Sequence, residues 1–297
     1  MKNNERRILV HLRGGLGNQL FQYATAYALA KNNDAELIID NREYKKYKLH
    51  GGYRLNNFCI KGREISIKDK LLLPFFLSTL AWKYNFLARR YNFFVRSFRR
   101  YCIEKFGLPK KIESSVVLIG YWQHAEYFKD FYKDLVDIFT PTCLPEDGIK
   151  QYNKIKSVNS VCIHIRRGDY ISNPSALKFH GVCSLDYYKK AVNYINKKIK
   201  DPVFFVFSDD REWCDINIPF IFSDKIKYNL VNKNDQETDL WLMSKCKHHI
   251  IANSTFSWWG AWLAQSSDQI VVAPEPWFDI DIGIKSPSLM SWTKFDK

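Results

Sequence analysis

The sequence predicts a two-part α/β protein built on parallel sheets. Three observations carry this. The N-terminal stretch reads as strand, glycine turn, helix and strand: Arg7 to Leu12, Gly14-Gly15-Leu16-Gly17-Asn18, Gln19 to Lys31, then Glu36 to Asp40. That is the opening unit of a nucleotide-binding-type sheet. From residue 160 onward the alternation returns, with strands at 160–165, 203–207, 249–252 and 269–273 and helices at 185–198, 237–246 and 257–265. Finally, Val161-Cys162-Ile163-His164-Ile165 is an apolar, β-rich run that ends abruptly in Arg166-Arg167-Gly168-Asp169-Tyr170. A buried parallel strand looks like this when it delivers polar residues at its carboxyl end. Two α/β halves in tandem predict two Rossmann-type domains facing a cleft, residues 1–155 and 156–297. Pro141 and Pro145 break the pattern just ahead of that boundary.

The elements follow in order. Gln19 to Lys31 places Leu20, Tyr23, Ala24, Tyr27 and Ala28 on one helical face. Residues 41–62 are polar and read as loop. The segment 63–106 mixes apolar and aromatic residues with Lys83, Arg89, Arg90, Arg96, Arg99 and Arg100 at helical spacing. Two readings stand side by side: a basic amphipathic element lying on an anionic membrane, or core-packed helices with snorkelling cations. Val116 to Gly120 is a strand, followed by Tyr121-Trp122-Gln123 and a helix over 126–139. Ser184, with Asp186 behind it, starts the helix at 185.

Composition bounds the function. The chain has 297 residues, 46% of them apolar, which supports a large core and excludes disorder. Aromatics at 16% suit core packing and also carbohydrate or base stacking. Lysine and arginine exceed aspartate and glutamate by 45 − 31 = 14, which favours an anionic partner. Cys59, Cys102, Cys143, Cys162, Cys183, Cys214 and Cys246 form no C-x-x-C pair and read as buried, reduced thiols of a cytosolic protein. The polar N-terminus carries no apolar signal region, and no apolar run approaches the ~20 residues of a spanning helix.

Chemistry is expected at three strand ends, because ligands of open α/β sheets bind outside the carboxyl ends of strands. The first end is His164-Ile165-Arg166-Arg167. Paired guanidiniums suit a diphosphate, since each forks onto two oxygens and stays charged; an Arg–Asp pair with Asp169 is the plainer reading. The second is Ser208-Asp209-Asp210, where Asp209 accepts from a base edge or ribose, or serves as a helix cap. The third is Asn253-Ser254-Thr255-Phe256-Ser257 entering a helix, either an anion site of backbone N–H groups or an N-cap by Ser254 or Thr255. Gly15-Leu16-Gly17-Asn18-Gln19-Leu20 with Asp40 also allows a dinucleotide oxidoreductase, and the charge allows a nucleic-acid binder. Neither accounts for all three polar strand ends.

GGLGNQLFQYA, GYWQ, HIRRGDY, FSDD and NSTFSWWGAW resemble, in order from Gly14 to about Trp277, family 11 glycosyltransferases, the α-1,2-fucosyltransferases. The resemblance implies a GT-B architecture with GDP-L-fucose as donor substrate and no cofactor. The C-terminal half would hold GDP, and the N-terminal half would supply the acceptor side. Arg166 would bind the pyrophosphate, His164 and Asp209 would lie near guanine, and the loop carrying Gly15, Gly17 and Asn18 would approach the donor. Arg167 and the 253–257 helix start complete the expected donor-binding set. Transfer to the 2-hydroxyl of a β-galactoside, free or lipid-linked, would invert the anomeric centre in surface-glycan (O-antigen) synthesis, with no nucleic acid involved. Asp169 is the first candidate base, with His11 and His180 behind it, although an ion pair orienting Arg166 or Arg167 is its rival role. The single D-x-D triplet, Asp279-Ile280-Asp281, falls outside these strand ends, so no metal is expected. The cytoplasm, or the inner face of the cytoplasmic membrane, is the expected location.

Overall fold

The computed structural model describes residues 6–46, 49–67, 69, 100–104, 107–222, 226–232, 234–264, 266–280 and 286–297. The chain divides into two compact units, Met1–Thr140 and Pro141–Lys297. The break precedes the expected 155/156 because helix α3 (Glu146–Lys156) belongs to the second unit. It packs on α8 (Gln236–Lys245) and leads directly into β6 (Asn159–Ile165).

The first unit contains β1 (Arg7–His11), α1 (Leu16–Asn33), β2 (Glu36–Asp40), β3 (Arg63–Glu64), β4 (Arg100–Ile103), β5 (Val116–Ile119) and α2 (Tyr132–Ile138). Its sheet runs β3-β2-β1-β5-β4, and every neighbouring pair is parallel. Ile8, Leu9 and Val10 are buried in succession, as a central parallel strand covered on both faces requires. Gly14, at φ +84°, makes the turn into α1, and a Cβ there would stand 2.7 Å from Asn18 Nδ2. The helix itself begins at Leu16 and is buried around nearly all of its circumference, polar Gln19, Gln22 and Thr25 included. The expected helix over 126–139 is instead two 3-10 turns, Ala125–Tyr127 and Lys129–Phe131, followed by the short α2. Phe128 interrupts it with a non-helical backbone and a ring buried against Phe21. Short 3-10 turns occupy part of the expected loop over 41–62. The basic amphipathic stretch falls largely on residues 71–99, outside the described residues.

The second unit continues with α4 (Gly168–Ser172), α5 (Pro174–His180), α6 (Leu185–Lys198), β7 (Pro202–Ser208), α7 (Arg211–Ile221), β8 (Lys227–Leu230), β9 (His248–Ile250), α9 (Thr255–Trp262), β10 (Val271–Glu275) and β11 (Thr293–Asp296). Its parallel sheet runs β11-β10-β9-β6-β7-β8. Ser184 caps α6 as expected, accepting from the Tyr187 N–H at 3.2 Å. Below it, Tyr187, Tyr188, Ala191, Val192 and Ile195 pack against β6 and β7, each larger side chain contributing roughly 1.5–3 kcal/mol by burial. Cys162, Cys183, Cys214 and Cys246 are buried free thiols, whereas Cys59 and Cys143 are exposed, correcting the uniform burial expected. No helix among the described residues is long and apolar enough to cross a membrane.

Both sheets have one switch point, where successive strands stop being added on one side and continue on the other. In the first, β1 leads outward to β2 and β3, while β5 lies on the opposite flank of β1. In the second, β6 leads to β7 and β8, while β9 lies on the opposite flank of β6. The loops leaving such a strand pair diverge and open a crevice at the carboxyl edge. The motifs fall on these loops and on the helix starts that follow them: residues 13–18 and 120–123 after β1 and β5, residues 166–169 and 253–257 after β6 and β9.

Candidate active site

Strand β6 carries its burial through His164 and Ile165, then releases two arginines in different directions. Arg166 is held on two sides, by Asp169 Oδ1 at 2.5 Å and Asp209 Oδ2 at 2.9 Å. Its guanidinium carbon lies 5.6 Å from the centre of the Tyr170 ring. Arg167 turns away to Asp210 Oδ2, 3.2 Å from its Nε, and over the Trp213 ring at 4.5 Å. The expected pair of arginines is therefore split, and Arg166 is the one at the switch point. Asp209 also accepts the Arg167 backbone N–H at 2.9 Å, so one carboxylate fixes both the loop and its first arginine. Gly168 makes this approach possible, since a Cβ there would lie 2.8 Å from Asp209 Oδ2.

Two nitrogens inside this cluster lack partners: Arg166 Nε and His164 Nδ1. His164 is 4% exposed and sits beside the Phe256 ring at 5.5 Å, while its carbonyl accepts the Tyr188 hydroxyl. Burial, the larger cause, pushes its pKa down to about 4 with help from Arg166, against an upward pull from Asp209. The imidazole is thus neutral near pH 7. A buried guanidinium N–H without an acceptor costs roughly 1–3 kcal/mol or more, and it asks for an oxygen ligand.

Across the switch point, α9 starts at Ser254 without a side-chain cap, unlike α5, α6, α7 and α8, which Asn173, Ser184, Asp210 and Asp235 cap. The expected caps by Ser254 or Thr255 are not made. Asn253 and Ser257 have internal tasks. The Asn253 amide donates to the carbonyls of His180 at 2.7 Å and Trp277 at 3.2 Å, and the Ser257 hydroxyl accepts the Ala252 N–H at 3.0 Å. Asn253, Ser254 and Ser257 are buried, while Thr255 and Phe256 are half-buried at the helix start.

Tyr170 is the residue that the sequence reading passed over. Its hydroxyl donates to the Asn253 carbonyl at 3.1 Å, tying the β6 loop to the β9 loop. Its ring stacks on His180 at 4.5 Å and 5°. Its place at the end of HIRRGDY was the available signal. His180 has its pKa lowered to about 4 by burial. Asp169 forms an ion pair with Arg166, the rival to a role as base. Asp279 pairs with Lys297 at 2.6 Å, and Asp281 lies outside the described residues. Among the described residues no cluster of three or more histidine, cysteine, aspartate or glutamate side chains could hold a metal ion.

Gly15, Gly17 and Asn18 lie in the first unit. Gly15 precedes α1, Gly17 is buried in its first turn, and Asn18 Oδ1 accepts the Gln123 amide at 3.0 Å. Asp40, which a dinucleotide reading needs at a ribose, is fully buried. Arg42 clamps it through Nε at 2.7 Å and Nη2 at 2.8 Å, and His11 Nδ1 lies 3.0 Å away. That alternative loses its ribose acceptor.

The fold and site define an α/β protein of two parallel-sheet units, each with motif-bearing loops at its switch point. The model of glycosyl transferase family 11 matches residues 1–294, and the chain belongs to that family. It is 40% identical to an alpha-1,2-colitosyltransferase of Escherichia coli, over 98% of this chain and 99% of that one. It is 36% identical to the O-antigen biosynthesis glycosyltransferase WbnK of Escherichia coli, over 90% and 93%. A galactoside alpha-(1,2)-fucosyltransferase 2 of Pongo pygmaeus is 25% identical, over 88% of this chain and 69% of that one. Among solved structures, fucosyltransferase NodZ from Bradyrhizobium matches with a TM-score of 0.51 at 14% identity, over 88% and 93%. The chain is a glycosyltransferase, and its fold is of the GT-B-like class expected from the sequence.

Proposed function

We propose that the chain transfers L-fucose from GDP-L-fucose to the 2-hydroxyl of a β-galactoside, with inversion, in the synthesis of a surface glycan such as O-antigen. The observation that carries the donor side is the unpartnered pair, Arg166 Nε and His164 Nδ1, at the β6/β9 switch point. A diphosphate oxygen satisfies the first. The uncapped start of α9 offers backbone N–H groups to the same anion. The names of the relatives support the 1,2 linkage and the glycan setting. The work site in this reading is the cytoplasm, at the inner face of the membrane when the acceptor is lipid-linked.

As the acceptor 2-hydroxyl oxygen bonds to the anomeric carbon, the bond from sugar to diphosphate breaks, building negative charge on the leaving group and positive charge on the sugar, and the hydroxyl proton passes to the departing diphosphate or to water. Arg166, oriented beforehand by Asp169 and Asp209, stabilises the leaving group without having to reorganise. Asp169 acts through Arg166 in this scheme, as a positioning residue. The neutral His164 offers a nitrogen close to the same oxygens without adding charge.

A second donor is favoured by one observation, the 40% identity to a colitosyltransferase. Colitose is the 3-deoxy analogue of fucose, so the two donors differ at one hydroxyl. The deciding assay offers GDP-L-fucose and GDP-L-colitose in parallel to β-galactoside acceptors, with linkage analysis of the product. Preference for fucose and an α-1,2 product support the proposal. Preference for colitose transfers the reading to that donor, and no transfer from either overturns it.

Transfer should survive metal removal, because Arg166 and the α9 start supply the charge stabilisation and Asp279 is already paired with Lys297. Activity after metal stripping and with excess EDTA should stay within about twofold of the untreated enzyme, against the ~10²-fold loss typical of a missing charge-stabilising group. Loss that magnesium or manganese restores would refute it.

A further inference from the structure

Arg166 has a further support beside its two aspartates, built from residues that the transfer chemistry leaves without a task. Tyr170, in α4, is buried, and the Arg166 guanidinium carbon lies over its ring at 5.6 Å. That is within reach of the attraction between a cation and an aromatic face. The chain then turns at Asn173, runs through α5 and brings His180 back to the same ring. The imidazole lies flat on the phenol, with centroids 4.5 Å apart and planes 5° apart. Phe179 and Phe278 wall the imidazole, at 4.7 Å and 5.9 Å.

Hydrogen bonds close this stack into a circuit. The Tyr170 hydroxyl donates to the Asn253 carbonyl at 3.1 Å, and the Asn253 amide donates to the His180 carbonyl at 2.7 Å. Lys297 Nζ donates to the same His180 carbonyl and pairs with Asp279. Yet His180 Nδ1 is buried without a partner. A ring nitrogen left unsatisfied is kept at a cost, so the imidazole is placed for its face and not for that nitrogen. Its pKa, lowered to about 4 chiefly by burial, leaves it neutral near pH 7. It therefore adds no second positive charge beside Arg166.

The two aspartates hold the ends of the guanidinium but not its plane. Both carboxylates are partly open to water, which leaves them room to swing together with the arginine. A buried aromatic face removes that freedom, because a guanidinium stacks with its plane against a ring. Charge held in place beforehand is what stabilisation of a departing anion requires.

We propose that Tyr170 and His180 are positioning residues, the imidazole fixing the phenol ring and the ring fixing the plane of the Arg166 guanidinium. The proposal rests on the donor role given to Arg166 above.

The test is a double-mutant cycle on steady-state transfer, with GDP-L-fucose and GDP-L-colitose each offered as donor. Tyr170→Leu keeps bulk and removes the aromatic face, and His180→Leu does the same one layer further from Arg166. Each should lower kcat by about tenfold, with unchanged circular dichroism. The donor KM should stay within about threefold, since the effect falls on the transition state. In the Arg166→Ala background the same substitutions should change kcat by less than about twofold, because no guanidinium is left to position. His180→Phe, which keeps a flat ring, should bring kcat back to within about threefold of the wild type. Should Tyr170→Leu fail to fold, His180→Leu and His180→Phe carry the cycle from a half-buried position. Equal fractional losses in both backgrounds, a loss confined to KM, or a His180→Phe enzyme as poor as His180→Leu overturns the proposal and leaves the role of Arg166 standing. An Arg166→Ala enzyme with near wild-type turnover, or no transfer by the wild type from either donor, overturns both.

Discussion

Arg166→Lys should damage the enzyme nearly as much as Arg166→Ala. Lysine keeps the charge but loses the planar fork, and here the fork is in use. Nη1 and Nη2 are engaged by Asp209 and Asp169, and Nε is a buried guanidinium nitrogen without a partner. An ammonium group has one nitrogen and cannot make three separated contacts. In the proposed reaction Arg166 stabilises charge that develops as the leaving group departs, and on that reading kcat should fall by roughly 10²–10³, as for loss of a preorganised oxyanion donor. A rise in KM with kcat retained would instead place the arginine in ground-state binding. Folding should survive, because the side chain lies at the sheet edge and its aspartate partners are solvent-accessible. Steady-state kinetics of both variants, with circular dichroism as control, decides the matter. A folded Arg166→Ala enzyme with near wild-type kcat/KM would sink the role and the site placement together.

Much of this architecture was legible because parallel sheets write themselves plainly. Val161 to Ile163 and Phe204 to Phe207 are buried on both faces and so read as unbroken apolar runs. Edge elements were not legible, for the converse reason. β8 is exposed along Lys227–Asn229, and β11 alternates, so neither shows a core signature. The helix start at Ser184 was readable from its cap, whereas the break at Phe128 came from tertiary packing that no local rule encodes. At the strand ends, residue types pointed to particular loops but not to the direction of each side chain. Arg166 and Arg167 are neighbours in sequence, yet Asp209 and Asp210 draw them apart. Asn253 and Ser257 looked ligand-facing, but the backbone around them had unsatisfied groups that they fill.

The stability of the second unit should fall as pH drops from about 6.5 towards 4. His164 and His249 both have their pKa lowered from 6.5 to about 4, chiefly by burial. His249 shows why protonation is resisted. Its Nε2 lies 2.8 Å from the Met243 carbonyl and its Nδ1 lies 3.0 Å from the Gln269 amide nitrogen. The first contact calls for an N–H and the second for a lone pair, which is the neutral imidazole. The unfolded chain takes up these protons near pH 6.5 and the folded chain only near 4. Between those values the unfolded state binds more protons, and acid favours it. Each histidine is worth up to about 3 kcal/mol across the window, at about 1.4 kcal/mol per pKa unit. His180, shifted the same way but more open to water, adds less. Asp239 opposes them. Burial raises its pKa from 3.8 to about 6, so it gains its proton first in the folded state and returns a comparable amount. The net expected loss is therefore about 3 kcal/mol, the size of one buried histidine. Hydrogen exchange of β6, β9 and α9 between about pH 7 and about pH 4.5 measures it, with intrinsic exchange rates corrected for pH. His249→Gln should flatten the dependence by about one proton whatever its effect on absolute stability. Protection that stays level through the window in the wild type would show that these imidazoles titrate in the folded protein as they do in the unfolded chain.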